Sequence, residues 1–190
     1  MFKHVITLLL ICFTCSSLSA QPTVESDITG LQFNLLSILV YHERGLSDEI
    51  ALRLEAGATT GFRYRNLNGN TSLNLWLQPF VLAEPRYYYN FAQREAKGKR
   101  TSNNSGNFVG LKTEYRLPRF LASTFGDGRR PAGQFSFIPR WGIRRDLGSG
   151  WDFELGLGAG WQFERRIFAD GPRLSGERTL DISWRFGFRF

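Results

Sequence analysis

A strict alternation of apolar and polar residues constrains this chain more than anything else in its sequence. From residue 151 to 164 the odd positions are Trp151, Phe153, Leu155, Leu157, Ala159, Trp161 and Phe163. The even positions are Asp152, Glu154, Gly156, Gly158, Gly160, Gln162 and Glu164. Successive side chains of a strand point to opposite faces, whereas a helix would mix the two sets, so this segment reads as a strand. Residues 179–190 repeat the pattern: Leu180, Ile182, Trp184, Phe186, Phe188 and Phe190 alternate with Thr179, Asp181, Ser183, Arg185, Gly187 and Arg189. In residues 50–65, Ile50, Leu52, Leu54, Ala56, Ala58, Phe62 and Tyr64 oppose Arg53, Glu55, Gly57, Thr59, Gly61, Arg63 and Arg65.

Two further segments alternate. Residues 107–117 set Val109, Leu111, Tyr115 and Leu117 against Lys112, Glu114 and Arg116. Residues 134–147 set Phe135, Phe137, Trp141 and Ile143 against Ser136, Arg140 and Arg144. Residues 73–91 are less regular, because Trp76, Phe80 and Leu82 fall on the face that otherwise carries Asn74, Gln78, Glu84, Arg86 and Asn90. Residues 30–42 are the weakest, since Leu36, Ile38 and Val40 break the alternation. The expectation is an all-β, antiparallel, up-and-down barrel with seven clear strands and, because such barrels close on an even number when they span a membrane, eight in all. The extra strand comes either from residues 21–30 or from a break in a long segment. Residues 73–91 are the suspect, because Pro79 and Pro85 each remove a ladder hydrogen bond and predict a bulge or bend. Pro139 poses the same problem within its strand.

The N-terminus reads as an export signal. Lys3 and His4 give a short positive start, residues 5–13 are an apolar run, and Ser16-Ser17-Leu18-Ser19-Ala20 supplies small residues for cleavage. Cleavage after Ala20 divides the chain into a signal peptide, 1–20, and a domain, 21–190, that lacks both cysteines, Cys12 and Cys15. That domain must be held together by something other than disulfides. Residues 28–41 contain Gln32, Asn34 and Ser37 and are too short for a spanning helix, which needs about 20 apolar residues. Two folds remain, a soluble β-protein and a membrane barrel.

Alternation alone does not say which face looks inward. Three features favour lipid outside and charge inside. Glycines recur on the polar faces (Gly57, Gly61, Gly156, Gly158, Gly160), where a narrow interior needs room for long side chains. Aromatic residues (Trp151, Trp161, Tyr87, Tyr89, Trp184, Phe190) sit near segment ends on the apolar face, as in the girdles of membrane barrels. The chain also ends on an aromatic. The interior would then hold Arg53, Arg63, Arg86, Lys112, Arg116, Arg140, Arg144, Arg185 and Arg189 against Glu55, Glu84, Glu114, Asp152, Glu154, Glu164 and Asp181, nine cations facing seven acids. Such a near balance favours a filled interior joined by ion pairs over an open pore.

With these residues in view, the chain resembles the small outer-membrane β-barrel proteins of Gram-negative bacteria. The likeness rests on the export signal and on Trp184-Arg185-Phe186-Gly187-Phe188-Arg189-Phe190, which is similar to the signal read by the barrel-assembly machinery through Trp184, Phe186, Phe188 and Phe190. The usual glycine of that signal stands further upstream, where this chain has Arg185. Residues 84–90 and 98–107 resemble barrels of the Bacteroidota type, a group that brings a fold and a location but no activity. The resemblance implies an outer-membrane location, contact with membrane lipid and lipopolysaccharide, and the assembly machinery as a partner during biogenesis.

Links 44–47 and 148–150 are short and read as periplasmic turns; 66–71, 119–133 and 169–177 read as outer loops. The link 92–106 falls on the periplasmic side although it is long and basic, with Arg94, Lys97, Lys99 and Arg100. It reads either as a contact for an anionic partner or lipid head group, or as a solvated charged loop. The net charge of +7 is spread along the chain and implies no nucleic-acid partner.

Signs of chemistry are few. Beyond the signal there is one histidine, His42, next to Glu43 and near Ser47. A hydrolase would need it within hydrogen-bond reach of a nucleophile. No cofactor or metal signature is present: Asp127 and Asp170 read as turn formers, and the glycines of 156–160 lie inside a strand rather than at a helix start. Arg119, Arg129, Arg130 and Arg173 suit lipopolysaccharide phosphates on charge grounds. The leading expectation is a structural or loop-mediated interaction role for a barrel with a largely closed interior. The alternatives are a lipid-modifying enzyme, a narrow channel and a soluble ligand-binding β-barrel. Oligomeric state is left open.

Overall fold

A computed structural model describes residues 23–67, 70–125, 131–168 and 171–190. The export signal at 1–20 lies outside the described residues, as do Asp127, Arg129, Arg130 and Asp170. The chain is all-β and antiparallel. Its strands are β1 (Asp27–Phe33), β2 (Ser37–Gly45), β3 (Ile50–Leu67), β4 (Asn70–Tyr88), β5 (Asn107–Arg116), β6 (Ala122–Ser123), β7 (Gln134–Gly148), β8 (Trp151–Phe168) and β9 (Gly171–Arg189). One short helix, α1 (Phe91–Glu95), follows β4. No helix among the described residues is long and apolar enough to cross a membrane, which says nothing about strands.

The ladder closes on itself. The sheet order is β3-β2-β1-β9-β8-β7-β5-β4-β6, and β3 also pairs with β4, so eight of the nine strands form a ring. The ninth, β6, is a two-residue strand laid against Trp76 and Leu77 of β4. Between β7 and β8 the chain turns through Gly148, Ser149 and Gly150, all at positive φ, which is why glycine flanks the turn on both sides.

The break in the sequence pattern lies elsewhere than expected. Residues 30–42 are two strands, β1 and β2, joined at Asn34. The Asn34 side-chain oxygen accepts from the backbone N–H of Leu36 and Ser37 and from the Ser37 hydroxyl, so its side chain builds the turn. The alternation is faint there because the inner face of β2 carries Leu39 and Tyr41, both buried, while Ile38 and Val40 face outward. The expected bulge in β4 is absent. β4 pairs with β3 without a register shift through Pro79 and Pro85. On the β5 side only Glu84 and Pro85 drop out of the ladder, and the register resumes unchanged at Arg86. Pro139 behaves alike, paired to Leu111 of β5 and skipped in the ladder to β8. Residues 171–177, expected as loop, belong to β9.

Trp76, Phe80 and Leu82 depart from alternation because they point inward. Phe80 and Leu82 are buried with Ile28, Leu39 and Tyr41. Trp76 stacks on Phe125 and lies beside Phe120, over Gly61, where a Cβ would meet its indole ring.

Candidate functional site

The interior of the ring holds a charged network. Its bonds join residues of one strand, of neighbouring strands and of strands on opposite sides of the ring, the last running through the middle. Glu43 on β2 accepts from Arg144 on β7 at 2.9 Å, from Arg53 on β3 at 3.3 Å and from Arg86 on β4 at 3.4 Å. Its second oxygen accepts from the Tyr88 hydroxyl at 2.7 Å and from Asn104 at 2.6 Å. Asp152 on β8 accepts from Gln32 at 2.7 Å, Tyr41 at 2.8 Å and Arg144 at 3.1 Å. Gln32 in turn accepts from Arg53 at 2.6 Å.

A second tier lies beside the first. Arg86 donates to Glu84 and Glu154, and Arg140 donates to the same two acids. Arg53 donates to Glu55 at 2.6 Å, and Arg185 reaches the same oxygen from β9 at 2.6 Å. The guanidinium groups also lie over aromatic faces: Arg53 is 3.8 Å above the Tyr41 ring centre and Arg86 is 4.1 Å above that of Phe108. Glycines make room for this crowding. A Cβ at Gly156 would meet the Arg140 guanidinium and the Ser183 hydroxyl, and one at Gly158 would meet the stem of Arg140.

A third, looser tier stands toward the end of the ring that carries the β1–β2 turn. Lys112 donates to Asp181 at 2.8 Å and lies 3.2 Å from Glu114, which also accepts from Arg116 at 2.7 Å. Arg140 joins this tier to the second, 3.8 Å from Asp181. One oxygen each of Asp181 and Glu55 is buried without a hydrogen-bond partner.

Most of the charge set anticipated from sequence meets here: Arg53, Glu55, Glu84, Arg86, Lys112, Glu114, Arg116, Arg140, Arg144, Asp152, Glu154, Asp181 and Arg185. Arg63 stands apart. It is exposed near the mouth, 5.9 Å from the Phe125 ring centre, and Glu164 lines the same cavity. Arg189 lies at the opposite end, donating to Asp146 at 2.7 Å. The sequence reading missed Gln32, Tyr41, Glu43 and Asn104. Glu43 follows His42 in the chain, yet the pleat turns the two residues to opposite faces. Of the aromatic set at the C-terminus, Trp184, Phe186, Phe188 and Phe190 all face outward and are exposed.

The link 92–106 closes one end of the ring. Phe91 stacks on Tyr88 with ring centres 5.0 Å apart, and both are buried with Phe108, Val24 and Ala51. Asn103 and Asn104 both take positive φ, a conformation asparagine tolerates better than most residues. Asn104 is thereby aimed inward at Glu43, and its side-chain oxygen accepts from the backbone N–H of Glu25 at 2.8 Å. Arg94 folds back on its own link, donating twice to the Arg100 carbonyl, while Lys97, Lys99 and Arg100 are exposed.

His42 lies on the outer face. Its partners are not Glu43 and Ser47 but Thr29, whose hydroxyl is 2.9 Å from Nδ1, and Asp27, 3.3 Å from Nε2. Among the described residues no three His, Cys, Asp or Glu side chains gather as a metal site would require. Comparison with protein-family models, with curated proteins and with solved structures found no match.

Proposed function

We propose that this chain is exported, loses residues 1–20, and folds in the outer membrane of a Gram-negative bacterium as a closed β-barrel with a structural or loop-mediated interaction role. The observation that carries this reading is an inverted distribution of polarity. The ring encloses arginines and carboxylates, while Ile38, Val40, Leu54, Val81, Leu155, Leu157 and Ile182 stand exposed on its outer face. In water both halves of that arrangement are unfavourable, since exposed apolar surface costs about 25 cal/mol per Å² and a buried ion pair gains little over an apolar core. In a bilayer the outer face meets acyl chains, and the backbone ladder runs around the whole ring, closing at β1 and β9 over Gly30–Phe33. Outward-facing Trp141, Trp151, Trp161, Trp184, Tyr87 and Tyr89 suit the two interfaces. The charged tiers fill the interior, which argues for a wall or platform rather than a pore.

Cell fractionation with gel mobility of unheated and boiled samples tests this. The expected result is a membrane-fraction protein whose unheated form migrates faster. A protein in the aqueous periplasmic fraction with no heat-dependent mobility overturns the reading.

A second reading, an enzyme acting on membrane lipid, is favoured by one observation: Thr29, His42 and Asp27 line up as hydroxyl, imidazole and carboxylate. Loss of a lipid modification on His42→Ala would support it, and an unchanged lipid profile removes it.

A further inference from the structure

Two arginines stand side by side at the end of the ring closed by the 92–106 link, and neither has a carboxylate partner among the described residues. Arg145 is on the outward face of β7, paired with Phe153 of β8. Its guanidinium donates to the carbonyls of Arg144 and Gly106 at 2.7 and 2.9 Å and to the Asn107 side-chain oxygen at 2.6 Å. Arg94 donates to the Arg100 carbonyl at 2.8 and 3.0 Å and to the Ser105 hydroxyl at 3.4 Å. Residues 105, 106 and 107 thus hold the two cations as neighbours, near enough for their charges to repel. Every acceptor here is neutral. In the charged tiers, by contrast, Arg53, Arg86, Arg140, Arg144 and Arg185 each face an acid. A half-buried pair of like charges is completed by an anion.

The tip of the link adds to the same charge. The Arg94 carbonyl accepts from the N–H of Lys97 at 3.1 Å and of Lys99 at 2.9 Å, and Gly98 closes the turn with a φ of 62°. A loop that merely carries charge into solvent needs no such brace. Lys97 and Lys99 are exposed and have no carboxylate partner among the described residues. Arg100, also exposed, lies 3.9 Å from Asp146.

Asn107 joins the arginines to an aromatic pair. Its oxygen holds Arg145, and its nitrogen donates to the Tyr89 hydroxyl at 3.4 Å. That hydroxyl also accepts from the Trp141 indole at 2.7 Å, so its own hydrogen is left to donate. Tyr89 and Trp141 both stand exposed on the outer face. Resting on the membrane reading above, such a pair marks the depth of the lipid head groups, and the link lies on the periplasmic side. The cations are then at the level of the phosphates, for which a guanidinium fork is the matching donor. A head group with an ammonium of its own would bring a further positive charge to the patch, whereas an anionic one does not.

We propose that Arg94, Arg145, Lys97 and Lys99, with the Tyr89 hydroxyl, form a docking surface for an anionic phospholipid of the periplasmic leaflet, its phosphate at the two arginines and its acyl chains along Trp141 and Val109.

Native mass spectrometry of the detergent-extracted protein, titrated with phosphatidylglycerol and with phosphatidylethanolamine, tests it. Wild type is expected to hold one phosphatidylglycerol at least about five-fold more tightly than phosphatidylethanolamine, and to lose that preference as salt is raised. Replacing Lys97 and Lys99 together by Gln, which breaks no side-chain bond, is expected to weaken phosphatidylglycerol about five-fold per lysine with heat-dependent mobility unchanged. Arg145→Gln is expected to weaken it at least as much as one lysine does. Equal retention of the two lipids by wild type overturns the proposal, as does a preference kept in full by the lysine variant or by a folded Arg145→Gln. So does co-sedimentation of wild type with purified peptidoglycan that the lysine substitutions abolish, because the partner would then be that polymer. Wild type with heat-dependent mobility and no preference defeats the docking surface alone, whereas wild type without that mobility defeats the barrel reading beneath it.

Discussion

Glu43 and Arg144 meet at 2.9 Å across the ring, one from β2 and the other from β7, which lie half a circumference apart. Glu43 is also the shared acceptor for Arg53 and Arg86, so a single buried carboxylate faces three guanidinium groups. Replacing Glu43 with Leu leaves those cations under-compensated in a place water does not reach. Removing one partner of a buried pair costs about 3–5 kcal/mol. The Glu43→Leu variant is expected to convert to the slow-migrating form at a markedly lower temperature in a heating series on gels. An unchanged transition would mean that the network adds nothing to stability.

Leu157 faces outward, flanked by Trp141 on β7 and Ile182 on β9. An arginine on the lipid face near the bilayer midplane costs about 2–4 kcal/mol, whereas the same change on a wetted surface is close to neutral. Leu157→Arg is therefore expected to lower folded yield in vesicles by that amount in urea titration. A neutral result would say that this face meets water.

Gly158 abuts the stem of Arg140 and the Pro139 carbonyl. A valine there would collide with backbone on one side and with the anchor of the second tier on the other. Overpacking of this kind costs about 1–3 kcal/mol. Gly158→Val is expected to fold poorly, while Gly98→Ala, in open space at a positive φ outside the ring, is expected to lose only about 1 kcal/mol. Measuring both by the same unfolding assay separates interior crowding from backbone strain.

Asn104 ties the 92–106 link to Glu43 and to the backbone of Glu25. Asn104→Ala removes both bonds and leaves part of the Glu43 carboxylate unsatisfied, worth about 1–3 kcal/mol. The expected outcome is faster trypsin cleavage near Lys97 and Lys99 with the ring itself intact by gel mobility. Protection equal to wild type would show that stacking of Phe91 on Tyr88 holds the link without Asn104.

Arg53, Arg86, Arg140 and Arg144 reach across the middle of the ring to Gln32, Glu154, Glu84 and Glu43 and occupy it. Planar-bilayer recordings are expected to show no steady conductance. A stable single-channel step would restore the narrow-channel alternative.

The sequence by itself determined the strand class and the two faces wherever one face was uniformly apolar, as in Trp151 to Phe163 and Leu180 to Phe190. A period of two is a local property, and each strand states it without reference to its neighbours. Where both faces carry apolar groups the signal vanishes. That is why β1 and β2 read as one weak segment, and why nothing in it marks Glu43 as facing inward. Only the tertiary structure decided which charges meet, because Glu43 with Arg144 and Glu55 with Arg185 are joined by closure of the ring and not by spacing along the chain. It also decided where the wall stops, since the reach of β9 beyond β1 is a difference between strand lengths on two sides of a seam, and no single segment records it.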